Sequence, residues 1–166
     1  MRKFSIMPLL AVGIFFLNAC SNPSSKDAAI DSTATVPQEE ATQTTINLNA
    51  GDDMKFDRTD FTVPVGEEIT LTLNHTGKMS AEMMGHNVVV LKVGEDVKEY
   101  GNEAMKYKEE QYVPQSLKDK VIAHTELIGG GQSTTITFTI DTAGTYPFLC
   151  SFPGHYPIMK GLITAK

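Results

Sequence analysis

A β-sandwich or β-barrel is the architecture that this sequence predicts, on three observations. Apolar residues recur with a period of two: Ile69, Leu71 and Leu73 alternate with Thr70, Thr72 and Asn74, and Ile136, Phe138 and Ile140 alternate with Thr135, Thr137 and Thr139. That spacing marks strands buried on one face. Further short candidates follow along the chain at Thr44–Asn49, Phe61–Val63, His86–Leu91, Val121–Ala123, Thr145–Cys150 and Gly161–Thr164. The segments between them carry turn formers such as Gly51-Asp52, Gly129-Gly130-Gly131 and Ala143-Gly144. Many short strands broken by glycine-rich turns define an all-β class. Glu95 to Gln111 departs from the pattern: it is charged, and Val97, Tyr100, Ala104 and Tyr107 stand at helical spacing, so a short helical flap is expected between strands. No internal repeat is present.

The chain opens with Arg2 and Lys3 followed by an apolar run, Phe4 to Leu17, broken only by Ser5. That run is short for a bilayer span of roughly 20 residues and has the form of a secretory signal. It ends in Leu17-Asn18-Ala19-Cys20, which resembles a bacterial lipobox. Residues 1–19 are therefore read as a lipoprotein-type signal peptide, with Cys20 lipidated at the mature terminus; a short anchor helix or an uncleaved signal stays open beside that reading. More than one acyl chain on Cys20 would suffice for stable membrane anchoring. Residues 20–43 continue as a Ser/Thr/Ala/Pro-rich tether that cannot nucleate a core, spanning about 26 Å as a coil. Residues 44–166 are then the folded domain.

A chain of 166 residues with 41% hydrophobic and 20% charged residues accommodates one ordinary core. The 14 Lys and Arg against 20 Asp and Glu leave a net charge of -6 and no basic cluster, which excludes a nucleic-acid partner. Of the two cysteines, Cys20 is assigned to lipid, so Cys150 has no disulfide partner. A lone thiol in an oxidising compartment needs protection.

Chemistry concentrates in Cys150-Ser151-Phe152-Pro153-Gly154-His155-Tyr156-Pro157-Ile158-Met159, where a thiol, an imidazole and a thioether share one loop that Pro153-Gly154 can turn. Gly85-His86 offers a second imidazole from another segment. Taken singly, the cysteine could be a buried apolar side chain or a nucleophile, and the methionine core packing. Together, two histidines, one thiolate and a weak methionine are the ligand set of an electron-transfer copper site, able to hold both Cu(I) and Cu(II). Asn87 is placed to tie the two ligand loops by hydrogen bonds.

Met84-Gly85-His86-Asn87, Val121-Ile122-Ala123-His124-Thr125 and Cys150-x-Phe152-Pro153-Gly154-His155-x3-Met159-Lys160-Gly161, with His75-x-Gly77 upstream, resemble the azurin family. The C-x4-H-x3-M spacing separates it from plastocyanin-like proteins. The resemblance implies a cupredoxin Greek-key β-sandwich and one copper ion held by His86, Cys150 and His155. It also implies Met159 as a long axial ligand and the Gly85 carbonyl as a weak contact opposite, with Asn87, Ser151 and Phe152 around the ligands and His75 nearby as a non-ligand. Two features depart from the family: no cysteine pair exists for its usual disulfide, and no tryptophan is present, Val88 following Asn87 instead.

No charged residue occurs from Met83 to Leu91 or from Thr142 to Met159. An uncharged docking face built from Met54, Met84, Pro153, Gly154 and Pro157 is expected there, although buried strands would also explain part of each run. His124 reads as a surface or strand-end histidine. Met54, Met79, Met83 and Met84 are spread over different segments rather than set in a repeated motif. The expected function is one-electron transfer at the cell envelope by a monomeric, non-enzymatic type 1 copper protein. Its partner would be a transient redox protein such as a c-type cytochrome or reductase, and its location periplasmic and lipid-anchored, with the outer membrane slightly favoured. A copper carrier or sequestering protein is the alternative.

Overall fold

The computed structural model describes residues 41–166. The expected signal peptide, Cys20 and nearly all of the expected tether lie outside the described residues. Among the described residues there are eight strands: β1 Thr45–Ala50, β2 Asp60–Val63, β3 Glu68–His75, β4 Val89–Leu91, β5 Val121–His124, β6 Ser133–Thr139, β7 Gly144–Leu149 and β8 Lys160–Ala165. They form a three-stranded sheet of order β1-β3-β6 and a five-stranded sheet of order β2-β8-β7-β4-β5. β1 runs parallel to β3, and β2 parallel to β8; the other pairs are antiparallel. Two mixed sheets, with few short helices, make the all-β sandwich that the alternation predicts.

The inward face of the small sheet carries Ile46, Leu48, Ile69, Leu71, Leu73 and Phe138, and the large sheet answers with Phe61, Val63, Val90, Phe148 and Ile163. Phe148 lies at the centre, its ring 5.6 Å from Phe56 and 5.7 Å from Phe61, both tilted. Such aromatic pairs add about 0.5–1.5 kcal/mol each beyond area burial. Apart from Glu68, the outward positions of β1, β3 and β6 are Thr, Asn and Ser, and several of them bond laterally. Asn74 Nδ2 donates to Asn49 Oδ1 (3.1 Å), Ser133 Oγ donates to Asn74 Oδ1 (2.7 Å), and Thr72 and Thr135 share a bond of 2.9 Å. Without a disulfide, β1 is held by a register of six residue pairs with β3, Thr45↔Thr70 through Ala50↔His75.

β4 is apolar on both faces because both are covered. Val90 enters the main core, whereas Val89 and Leu91 enter a second cluster with Tyr100, Ala104, Val113 and Leu149. That cluster belongs to the helical flap, which is shorter than its spacing predicts. Its α-helix covers only Val97–Ala104, capped by Asp96 Oδ1 accepting from the Glu99 amide, and 3-10 turns follow at Lys108–Glu110 and Gln115–Lys120. A four-residue helix, Ala81–Met84, precedes β4 and has no periodic signature in the sequence. Strand β4 itself begins at Val89 rather than at His86, which meets Ile128 only in an isolated bridge. The reason is local: the Asn87 side chain is committed to the loop after β7, and the Val88 amide donates to the Thr125 hydroxyl. Among the described residues no helix is long and apolar enough to cross a membrane.

Candidate metal centre

The end of β7 delivers Cys150, the segment before β4 delivers Gly85 and His86, and the turn between β7 and β8 delivers His155 and Met159. One nitrogen from each of His86 and His155 and the Cys150 sulfur all lie within 4.8 Å of one another. Cys150 Sγ is 3.9 Å from His86 Nδ1, 3.6 Å from His155 Nδ1 and 3.9 Å from the Gly85 carbonyl oxygen. All of these side chains are buried: His86, Cys150 and Met159 are 0% exposed and His155 2%. The ten-residue loop is compact because its backbone bonds itself. The His155 amide donates to Phe152 O, the Met159 amide to His155 O, and the Cys150 amide to Met159 O at 2.9 Å. The last bond returns Met159 to the cysteine. Gly154, at φ +84, makes the turn in a conformation that suits glycine.

Neighbouring groups fix which atoms face inward. His86 Nε2 donates to the Gly51 carbonyl at 2.9 Å, which leaves Nδ1 free toward the sulfur. Asn87 joins the loops as expected: its Oδ1 accepts from the Ser151 amide at 2.9 Å and its Nδ2 donates to Ser151 Oγ at 2.8 Å and to Gln111 O at 3.3 Å. Gly85 has no room for a side chain, since a Cβ would run into the Ala81 carbonyl oxygen and the Leu127 side chain. Phe152 is 8% exposed, with its ring 4.6 Å from that of His155.

Burial sets the protonation states. It pushes the Cys150 thiol up to about 11, opposed in part by the backbone amides of Asn87 and Phe152. It pushes His155 down to about 4, with the neighbouring His86 and His75 adding in the same sense, and it also lowers His86, against the Gly51 hydrogen bond. Both imidazoles are thus neutral donors near neutral pH, and the sulfur waits for a cation to replace its proton. Soft sulfur and two neutral nitrogens converging in a dry site fit copper.

Other groups support the site: the resemblance places His75 near it, whereas Gln111, Tyr112 and Asp52 carry no site signal in the sequence. His75 stacks on His86, ring centroids 4.5 Å apart and planes at 24°. Its Nδ1 accepts from the Gly77 amide and its Nε2 donates to Met84 O at 2.8 Å. It stacks on a member of the cluster and is not one of the three clustered donors. Gln111 and Tyr112 both adopt positive φ, 52° and 62°; this elbow sets Tyr112 edge-on against Phe152 at 5.3 Å, while Gln111 Oε1 accepts from the Leu127 amide. Asp52, whose carboxylate accepts the Lys78 and Met79 amides, clamps the loop carrying Gly51. His124 is exposed at the end of β5 and is not one of the clustered donors.

The docking residues expected from the uncharged runs divide by exposure. Gly154 and Pro157 are exposed, Met54, Met84 and Pro153 half-buried, whereas Val88 to Leu91 and Phe148 to Phe152 are buried. Much of the missing charge is therefore a property of the core.

Sandwich and site together define a cupredoxin. The chain belongs to the plastocyanin/azurin family of copper binding proteins, which matches residues 42–166, and within it the chain is azurin-like. It is 38% identical over 122 residues to an azurin of Alcaligenes faecalis, covering 71% of this chain and 94% of that protein. It is 37% identical over 122 residues to outer membrane protein H.8 of Neisseria gonorrhoeae, covering 70% of this chain and 64% of that protein. Among solved structures, dithionite-reduced auracyanin of Roseiflexus castenholzii superposes with a TM-score of 0.69 at 38% identity, covering 76% of this chain and 99% of that one. An azurin of Methylomonas sp. strain J gives a TM-score of 0.66 at 31% identity, covering 74% and 97%. The cofactor is one copper ion.

Proposed function

We propose that this protein is a type 1 copper electron carrier in which His86 Nδ1, Cys150 Sγ and His155 Nδ1 are the close ligands. Met159 is the weak axial ligand and the Gly85 carbonyl a distant contact on the other side. The observation that carries this reading is the convergence of one sulfur and two nitrogens within 4.8 Å among side chains that are 0–2% exposed. Copper bound there supplies a one-electron couple between Cu(II) and Cu(I). The chain's own residues limit rearrangement during transfer: Gly51 fixes the His86 ring, Asn87 locks the two loops, and the Asn87 and Phe152 amides face the sulfur. Water is excluded by Phe152, Met159 and Val88.

His86 is bonded inward, whereas His155 lies in a loop with exposed Gly154 and Pro157. The His155 edge is the electron exit, and Met54, Met84, Pro153, Gly154 and Pro157 form the docking rim for a transient redox protein such as a c-type cytochrome or reductase. All of the donors come from one chain, which suits a monomer with no substrate turnover. A copper carrier would require exposed, exchangeable ligands, and full burial argues for retention instead. The lipobox-like Leu17-Asn18-Ala19-Cys20 and the likeness to a relative named as an outer membrane protein support a lipid anchor on Cys20. We place the domain, residues 44–166, on a 20–43 tether at the cell envelope, on the outer membrane by preference. An optical spectrum of the copper-loaded protein tests the site. An intense band near roughly 600 nm is expected from the thiolate ligand set, lost in Cys150→Ser with the sandwich intact; a colourless stoichiometric complex would sink the assignment.

A further inference from the structure

The two histidines of the site are held by different means. His86 Nε2 donates to the Gly51 carbonyl at 2.9 Å, so a hydrogen bond orients its ring. Among the described residues none bonds Nε2 of His155, whose ring meets the Cys150 sulfur through Nδ1 and the Phe152 ring at 4.6 Å. Its backbone belongs to a turn that includes exposed Gly154 and Pro157. The residue that ties this turn to another part of the fold is the next one, Tyr156.

Tyr156 reaches the helix Val97–Ala104. Its side chain packs against the cluster of Val89, Tyr100, Ala104 and Leu149, and its hydroxyl donates to Asn102 Oδ1 at 2.9 Å. Gly101 makes room for the ring: a Cβ there would stand 2.5 Å from Tyr156 Cδ1 and 2.6 Å from Cγ, closer than packed carbon atoms approach. Glycine in a helix interior costs stability relative to alanine. Here it is buried within the eight-residue helix, and the ring of Tyr156 accounts for it. Tyr156 is half-buried and Asn102 exposed, so this bond lies at the surface while the ring beneath it is packed.

We propose that Gly101, Asn102 and Tyr156 are positioning residues for His155, a strap by which the flap helix fixes the ligand loop. The inference rests on the reading of His155 as a copper ligand. His155 and Tyr156 share a peptide bond, so a ring anchored on the helix limits how far the His155 backbone can swing. The flap thereby does for His155 what the Gly51 carbonyl does for His86. It keeps the imidazole in place when the metal changes charge and when the metal is absent.

The test uses the full chain, apo and copper-loaded, in two variants. Tyr156→Phe keeps the ring and removes its hydroxyl, and Asn102→Ala removes the acceptor at an exposed position. The amides of His155 and Met159 close the turn by donating to Phe152 O and His155 O. In the apoprotein their hydrogen exchange should quicken about fivefold, the factor that one ordinary hydrogen bond supplies to a local opening. The Met84 amide, bonded to Ser80 O in a separate turn, should keep its wild-type rate. In the reduced copper protein the imidazole 15N resonances of His155 should move while those of His86 stay in place. Gly101→Ala should produce larger changes of both kinds, and none when added to Tyr156→Ala, which leaves no ring to meet. Unchanged exchange at His155 and Met159, or His155 resonances that stay in place, would overturn the proposal. So would equal quickening at Met84, the mark of general loosening. A Gly101→Ala effect of the same size with and without the Tyr156 ring would also overturn it, by placing the cause in the helix. A copper complex without a blue band beside quickened exchange in the apoprotein would instead fail the ligand reading and leave the strap on the loop standing.

Discussion

At the scale of single residues, the site separates groups that hold copper from groups that tune it. Met159 is buried and tied to Cys150 through the backbone, so its position does not depend on its sulfur. Met159→Leu should keep the fold, the copper and the blue colour while raising the reduction potential, because removing a donor weakens Cu(II) more than Cu(I). A tenfold change in that preference is about 59 mV for one electron, a shift that voltammetry resolves. Copper loss in this variant would make Met159 a primary ligand. Asn87 acts differently, since it pairs both the amide and the hydroxyl of buried Ser151. Asn87→Ala leaves those groups unpaired and should cost about 1–3 kcal/mol, read as a lowered denaturant midpoint of the apoprotein. A midpoint equal to wild type would show that the link between loops is not structural.

At the scale of elements, the copper end is assembled from loops around two strand termini, and the proposed docking rim lies on those loops rather than on the strands. Phe152 is unsuitable for placing charge there, being buried against His155 and Tyr112. Met84→Lys and Pro157→Glu alter the rim instead. Electron self-exchange brings two copper ends together, so each variant sets like charges face to face. The rate should fall at least about tenfold at low ionic strength and recover partly with salt. Unchanged self-exchange in both variants would place the encounter elsewhere on the molecule. The strands were readable from alternation because β3 and β6 are half-buried, and the ligand loop from the types and spacing of Cys150, His155 and Met159. The reach of β4 was not, because a continuous apolar run does not reveal where side-chain bonds from Asn87 and Thr125 replace a ladder. Nor was the Gln111-Tyr112 elbow, whose positive φ is maintained by tertiary contacts and has no glycine to announce it.

At the scale of the whole molecule, the apoprotein keeps two ionisable ligands in the states that folding prefers, and the metal reverses one of them. His155 is lowered from 6.5 to about 4, so between those values the unfolded chain binds more protons and apoprotein stability falls as the pH falls. Cys150 is raised from 9.0 to about 11, so above pH 9 the unfolded chain ionises first and stability falls as the pH rises. Each shift corresponds to about 3 kcal/mol at full extent. The apoprotein should therefore be most stable between about pH 6.5 and 9 and decline on both sides. With copper bound the sulfur is already a thiolate, so the alkaline decline has no cause and that limb should flatten, while acid still competes for the imidazoles. Copper uptake near neutral pH should release about one proton, from Cys150, and the apparent Cu(II) affinity should rise about tenfold per pH unit between pH 7 and 9. Denaturation midpoints of the apo and copper-loaded proteins across pH, with calorimetry in buffers of different ionisation enthalpy, measure both effects. An apoprotein whose alkaline limb is as flat as that of the loaded form would mean that the Cys150 proton is not what the metal displaces.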